Sequence, residues 1–483
     1  MDFSLLTPAI AEIFLAGAAI VLVLVAAFGG EDSKASSLMR KLTIGSFVVA
    51  GALVVSNGQA PNLAFGNLFM TSPFKVYMKV LVLVAASVVL LMAKSHLKAD
   101  GINRPEFSLL ILMSVLGMMV LISANDLMVL YMGIELQSLP LYVIAAMRRD
   151  SIRSSEAGLK YFLLGALSSG LLLYGASLIY GFTGATNYGA IAAALAGGAS
   201  NGAVIGIVFL VAGMAFKISA APFHMWTPDV YEGSPTIVTA FFAVAPKLAA
   251  MTLFLRVTYG MLGQVGEAWQ QVVVAIAVLS MIIGALGAIM QTDLKRLMAY
   301  SSIAHMGYAL VGMASALPEG VSGVMVYMAI YVASALGIFA IILTLSRDGT
   351  SALKISDLAG YSRSHPLHAV CMMIFMFSMA GIPPLGGFFG KWFVFSAAVN
   401  AGMVSLAVFG VLSSVIGAFF YIRIIKVMYV DDAVGEVLDR HENSINTFVM
   451  TAMAIIVVLM MFGLSSLRDA IAATLPYIAF VVG

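Results

Sequence analysis

Residues 203–247 read AVIGIVFLVAGMAFKISAAPFHMWTPDVYEGSPTIVTAFFAVAPK. An apolar run ends in a lysine, breaks over a proline and a short polar turn, and resumes as a second apolar run that closes on Pro-Lys. Strands of a membrane barrel are about ten residues long and alternate in polarity, so continuous runs of this kind exclude one. In hydrocarbon only a helix satisfies its own backbone along such a run. The decisive reading is therefore a pair of membrane-crossing helices, one of them broken, each with a lysine deep inside it.

The same grammar extends in both directions. Of the 483 residues, 61% are hydrophobic and only 10% are charged, and the mean hydropathy is +1.03. A soluble chain carries about a quarter charged residues, so this one cannot solvate its own surface and lipid must be its solvent. Taking about 20 apolar residues per crossing, fourteen spans are expected, starting roughly at residues 5, 42, 76, 106, 126, 157, 203, 236, 270, 297, 321, 367, 403 and 446. The fold class is thus an all-α polytopic membrane protein. The first run, about Leu5 to Ala27, is longer than a signal-peptide core and lacks a basic flank, so it reads as a retained helix. The apolar tail after Arg468 is expected along the interface.

With the N-terminus outside, eighteen Lys and Arg fall in cytoplasmic loops, Arg440 among them. Four (Lys75, Lys79, Arg256 and Arg468) fall on the other side. The positive-inside rule then puts both termini in the periplasm. The net charge of +2 and the absence of a basic patch interleaved with aromatics give no reason to expect nucleic acid. The single cysteine, Cys371, cannot form an internal disulfide. No spacing resembles a metal or iron–sulfur site, and Gly-x-Gly patterns within apolar helices fit helix packing better than a nucleotide.

Four charges sit inside apolar runs: Glu135, Lys217, Lys247 and Lys391. Each costs about 2.5–3.5 kcal/mol at mid-membrane on insertion scales, so each is expected to face the bundle interior or a wet path and to find a partner. Glu135 has no basic residue within three turns, so its partner must come from another helix. A Glu135–Lys217 pair that forms and breaks would act as a proton switch. The competing readings are a neutral, hydrogen-bonded Glu135 and a Lys217 that snorkels. Pro222 loosens the chain after Lys217, and His224 follows two turns along. Pro246 frees a carbonyl beside Lys247, a hydration site or simply a kink. Lys391 follows Gly381-Ile382-Pro383-Pro384-Leu385-Gly386-Gly387, which cannot form regular helix. Broken helices mark ion pathways in transporters. The lysine precedes the break in one segment and follows it in the other, as inverted repeats would give. His224 and His305 are possible relays, or hydrogen-bonded core residues.

The run Phe216–Lys247, with Gly133-Ile134-Glu135-Leu136, Asp293–Leu297, Tyr300–Tyr308 and Gly381–Lys391, resembles the antiporter-like membrane subunits of bacterial NADH–quinone oxidoreductase (respiratory complex I). The likeness covers nearly the whole chain. It implies two inverted five-helix repeats with extra helices around them. The corresponding segments are an N-terminal three-helix segment at 1–100, repeats at 101–262 and 263–430, and a C-terminal loop, helix and tail at 431–483. It implies an inner-membrane subunit of a proton-translocating NADH:quinone reductase, with Glu135, Lys217, Lys247 and Lys391 carrying proton transfer. It implies that no cofactor binds this chain: NADH, flavin, iron–sulfur clusters and quinone belong to other subunits, and the partners are other membrane subunits and lipid. The rival is a subunit of a multi-subunit sodium/proton antiporter, which shares the fold. A passive scaffold would gain nothing from the cost of its buried charges.

Overall fold

In the computed structural model, residues 3–29, 33–347, 349–433, 438–439 and 444–478 are described. Arg440 and the end of the apolar tail lie outside them. Among the described residues the fold is a helical bundle with two minor hairpins. Helices α1 (Ile10–Gly29) and α2 (Ser33–Asn57) lead through the hairpin β1–β2 (Asn62–Ala64, Phe69–Thr71) into α3 (Pro73–Ala99). Then come α4 (Pro105–Ser123), α5 (Leu127–Ala145), α6 (Ile152–Thr183), the short α7 (Tyr188–Ala194), α8 (Asn201–Lys217), α9 (Trp226–Gly233) and α10 (Thr236–Arg256). The second half runs α11 (Gly266–Ile289), α12 (Leu294–Ala314), α13 (Pro318–Ile342), the hairpin β3–β4 (Ser346–Arg347, Thr350–Ser351) and α14 (Tyr361–Ser364). It closes with α15 (Pro366–Ala380), α16 (Gly386–Asn400), α17 (Val404–Tyr429) and α18 (Ser444–Ala472).

Eleven helices among the described residues are long and apolar enough to cross a membrane. Their starts are written in local chemistry. Proline opens α3, α4, α13 and α15, where its missing N–H costs nothing. Ser151, Asn187 and Ser200 cap α6, α7 and α8 by accepting a backbone N–H. One start occurs twice. Asp126 caps α5 by accepting from Met128, and Asp293 caps α12 by accepting from Arg296. Leu127 N–H donates to the Thr186 carbonyl while Tyr188 N–H donates to Asn125. Likewise Leu294 donates to Leu353 and Ile355 donates to Thr292.

Helices α10 and α13 are buried along their whole apolar length, whereas only about a third of α1 and α18 is buried. The bundle is therefore built around α10 and α13, with its lipid-facing surface on helices such as α6 and α17. Helix α18 continues past Arg468 to Ala472, so the last crossing takes in the first part of the expected tail.

Three of the four basic residues expected in periplasmic loops are instead buried in helices. Lys75 and Lys79 lie in the first two turns of α3, Arg256 ends α10, and all three are at most 1% exposed. Each is satisfied locally. Lys75 donates to the carbonyls of Met70, Ser123 and Ala124 at 3.1–3.5 Å, the last two at the open C-terminal end of α4. Lys79 pairs with Glu12 of α1 at 2.5 Å. Arg256 donates to Asn125 Oδ1 at 2.8 Å and to the Ile478 carbonyl. Lys295, assigned to the opposite loops, is also buried and donates to the Ser234 carbonyl at 2.8 Å. Loop assignment from hydropathy misses charges that sit within a turn or two of a helix end and are paired there.

Candidate functional site

Helix α8 stops at Lys217 and the chain is irregular until Trp226. The break is held from both sides. Trp226 stacks on Tyr161 with centroids 4.4 Å apart, and its indole N–H donates to the Phe216 carbonyl at 3.1 Å, beside the Ser219 N–H that the same carbonyl accepts at 3.0 Å. Asp229 of α9 accepts from Lys160 of α6 at 2.9 Å and from Arg296 of α12 at 2.7 Å, and Glu232 accepts from Arg296 at 3.0 Å. Ser219 sits in the break with φ +64°, a left-handed conformation that side-chain-bearing residues seldom adopt.

The second break lies between α15 and α16. Gly381 has φ +85°, and a Cβ there would come within 2.9 Å of Lys391 Cδ; only glycine permits both the turn and the lysine. Lys391 reaches back from α16 to the end of α15, donating to the carbonyls of Met379 at 2.9 Å and Ala380 at 3.0 Å, and to Ser414 Oγ at 2.7 Å.

The other two lysines are held by hydroxyls. Lys217 Nζ donates to Ser138 Oγ at 2.8 Å, and Lys247 Nζ donates to Ser219 Oγ at 3.1 Å. Lys247 therefore meets the broken helix two residues beyond Lys217. The three lysines are only 8%, 1% and 6% exposed in chain order. Glu135 forms no ion pair among the described residues, and its Oε1 is buried without a hydrogen-bond partner. It lies one turn before Ser138 on α5 and within electrostatic reach of Lys217. The structure thus puts a serine on the lysine and leaves the carboxylate as a nearby charge, in place of direct contact.

His305 lies in α12, 3% exposed, within electrostatic reach of both Lys247 and Lys391. Its Nδ1 is 2.5 Å from the Tyr327 hydroxyl and its Nε2 is 2.9 Å from that of Tyr421, which is 2.5 Å from Ser301 Oγ. Tyr331 donates to Ser302 at 2.8 Å. Lys391 stands 4.8 Å over the Tyr308 ring and Lys247 5.6 Å over Tyr231. His224 is half-buried beside the first break, and its Nδ1 makes no hydrogen bond; no bond brings it to the lysines. Among the described residues no His, Cys, Asp or Glu cluster could hold a metal ion.

Residues 124–417 match the family described as NADH:quinone oxidoreductase/Mrp antiporter, TM. A relative from Rhodospirillum rubrum, named NADH-quinone oxidoreductase subunit N, is 52% identical over 480 residues, which is 99% of this chain and 98% of that one. The chain belongs to the NADH-quinone oxidoreductase subunit N family. A chain of respiratory complex I from Thermus thermophilus with bound aureothin matches this subunit N family member at 30% identity and a TM-score of 0.83, over 96% of this chain and all of that one. A chain of the Mrp complex from Dietzia sp. shares the fold, with a TM-score of 0.85 over 99% of this chain at 19% identity. The family's antiporter-like architecture is thus common to both assemblies, and the 52% relative assigns this chain to the NADH–quinone side.

The residues missed at the sequence level are the small partners. Ser138, Ser219, Ser414, Tyr327 and Tyr421 carry no charge penalty that would single them out in an apolar run. Lys75, Lys79, Arg256 and Lys295 are legible as charges, but hydropathy assigns them to loops; Glu12, inside the first apolar run, is not among the charges singled out there. Lys75 and Lys79, four apart in a 27-residue apolar helix, share a helix face, and that spacing was the available signal.

Proposed function

We propose that this chain is a proton-translocating membrane subunit of NADH–quinone oxidoreductase, with Glu135, Lys217, Lys247 and Lys391 as its proton-transfer residues. The observation that carries the reading is the sequence of buried titratable groups: Ser138–Lys217, Ser219–Lys247, the His305 cluster, then Ser414–Lys391. Neighbouring cations repel, so charging one lowers the proton affinity of the next, which passes charge sideways without a metal or redox group. Serine and tyrosine hydroxyls can both give and accept a proton, so the contacts between lysines suit transfer. NADH oxidation and quinone reduction, with flavin and iron–sulfur clusters, are assigned to other subunits.

On this reading fourteen helices cross the bacterial inner membrane: the eleven long spans, the broken pairs α8–α9 and α15–α16, and α12. Both termini face the periplasm. With the buried Lys75, Lys79 and Arg256 removed from one side and the buried Arg40 and Lys295 from the other, sixteen basic residues stand against one, so the Lys and Arg asymmetry that supports this orientation grows. The paired starts at Asp126 and Asp293 favour inverted repeats at 101–262 and 263–430. Each cap opens the second helix of its repeat and is clamped to a later strand-like segment in the same way, and the two helices run in opposite directions across the membrane. Residues 1–100 and 431–483 flank them.

The test is the whole complex reconstituted in vesicles, with NADH oxidation and the pH gradient read together. Lys247→Ala and Lys391→Ala should assemble and oxidise NADH while moving fewer protons per electron. Full assembly of both with unaltered protons per electron would remove these residues from the path.

A further inference from the structure

The row from Lys217 to Lys391 is buried, so protons that reach it from the face bearing the Lys- and Arg-rich loops must pass through protein. One further lysine lies on that side and inside the bundle. Lys295, the second residue of α12, is 4% exposed. Among the described residues its one hydrogen bond is to a neutral acceptor, the Ser234 carbonyl, at 2.8 Å. It stands in the first turn of its helix, where the dipole disfavours a cation. A tie between two segments needs only a neutral donor, and a lysine adds to it the cost of burying a charge.

Toward the loops, Lys295 has acid around it. Asp293, Asp100, Glu232 and Arg148 are within its electrostatic reach. Asp100, in the turn after α3, has a side chain 19% exposed and pairs with Arg148 at 3.6 Å. Burial pushes its carboxyl above the usual range, with Arg148 and then Lys295 opposing, so it holds a proton more readily than an aspartate in water.

Toward the row lie hydroxyls. Ser302 is on the same face of α12 two turns on, about 10.5 Å along the axis. It accepts from Tyr331 at 2.8 Å, and the Tyr331 ring is 5.6 Å from that of His305. Tyr231 of α9 lies close to Ser302 but outside bonding geometry, and Lys247 stands over its ring. Three residues on, Ser234 closes α9 beside Lys295. The Tyr231 and Ser234 hydroxyls are both buried and neither makes a hydrogen bond. Buried hydroxyls seldom go without partners, and groups of this kind are where a protein interior holds water. A polar strip therefore joins the end of α9 at Lys295 to Lys247 and the His305 cluster.

We infer that Lys295 is the residue through which protons enter this chain from the cytoplasmic face, taken from Asp100 and handed along Ser234, Tyr231 and Ser302 to Lys247 and His305. The Lys295 ammonium releases one proton to the strip, where each hydroxyl and bridging water gives up its own as it accepts another. The neutral amine then takes the next proton from Asp100, and no charge is left behind. The inference rests on the proton-transfer reading of the row.

The experiment uses the intact complex reconstituted in vesicles, with NADH oxidation and the pH gradient read together. It compares Lys295→Arg, Lys295→Gln and Tyr231→Phe with Lys247→Ala at equal amounts of assembled complex. Arginine keeps the charge and a donor to Ser234 but does not release its proton. Glutamine keeps a donor alone, and phenylalanine keeps the ring under Lys247. All three should lower the protons moved per electron as far as Lys247→Ala does. A lysine that only ties α12 to α9 would be replaced by arginine or glutamine without that loss. A ratio unaltered in Lys295→Arg or in Tyr231→Phe, beside a lowered one in Lys247→Ala, would overturn the proposal and leave the row standing. An unaltered ratio in Lys247→Ala would remove the row, and this entry with it. Where the Lys295 variants do not assemble, Tyr231→Phe decides by the same comparison.

Discussion

Glu135→Gln isolates the electrostatic role of the carboxylate, because it keeps the shape of the side chain and removes only its charge. Lys217 is bonded to Ser138, and Glu135 acts on it across space from one turn away. Beyond ion-pair contact, taking about 6 Å as a round value, two unit charges attract by roughly 3 kcal/mol at an effective dielectric of 20 and by roughly 0.7 kcal/mol in bulk water. Glu135 is half-buried, so the true value lies between these limits. At about 1.4 kcal/mol per factor of ten, the variant should slow charge movement into the row by between about threefold and about a hundredfold. The Ser138 bond survives the substitution, so assembly should be far less affected than by Glu135→Ala. The assay is acidification of vesicles holding the reconstituted complex, alongside NADH oxidation, for the unaltered chain, Glu135→Gln and Glu135→Asp. Glu135→Asp retains the charge on a shorter arm and should recover much of the rate. Equal acidification rates in Glu135→Gln and the unaltered complex, at equal amounts of assembled complex, would refute the reasoning; so would a loss in Glu135→Asp as deep as that in Glu135→Gln.

Other outcomes follow from contacts nearby. Tyr421→Phe cuts the hydroxyl between His305 and Ser301 while keeping the ring, so proton pumping should fall with little change in thermal stability, read by the same vesicle assay and a melting curve. Glu12→Ala leaves Lys79 buried without its carboxylate, a loss of about 3–5 kcal/mol for a broken buried pair; E12L/K79M should recover most of it, and yield of assembled complex reports both. Asp100, in the turn after α3, has its carboxyl pushed above the usual range by burial, with Arg148 and Lys295 opposing less strongly. A carboxyl that binds its proton more tightly in the folded chain weakens the fold once ionised. Asp100→Asn should therefore melt higher than the unaltered complex at pH 7, and the gain should vanish as pH falls and Asp100 itself is protonated. A lower melting point at pH 7 would mean that the Arg148 pair outweighs burial.

Much of the arrangement was legible in the chain. The apolar runs located the long spans because a bilayer demands length and apolarity together. Pro222 and the 381–387 segment located both breaks, because neither can continue a helix. The lysines stood out through the cost of burying them. Ser138, Ser219 and Ser414 did not, since an isolated serine in an apolar run is common and inexpensive, and only the packing of α5, the first break and α17 brings each to its lysine. The position of Glu135 relative to Lys217 was legible as proximity but not as contact, because the intervening hydroxyl comes from the same helix as the carboxylate. Lys75, Lys79 and Arg256 show the limit of counting charges by loop: near a helix end, a residue's number does not say whether it turns to water or to an open carbonyl.

On the proposed path, the hydrogen-bonded chain Tyr327–His305–Tyr421–Ser301 would take on a direction with each proton it carried. A proton handed along hydroxyls and an imidazole leaves every O–H and N–H behind it pointing the opposite way from before. The next proton cannot follow until the imidazole has exchanged tautomers and the tyrosine and serine hydroxyls have swung back. The cluster is wedged among aromatic rings, with His305 edge-on to Tyr308 at 5.7 Å, so the ring turn that would restore the first tautomer is the constrained step. On the proposed path, such a wire would behave as a latch: each passage would arm it, and each rearming would set the earliest moment at which the next could begin.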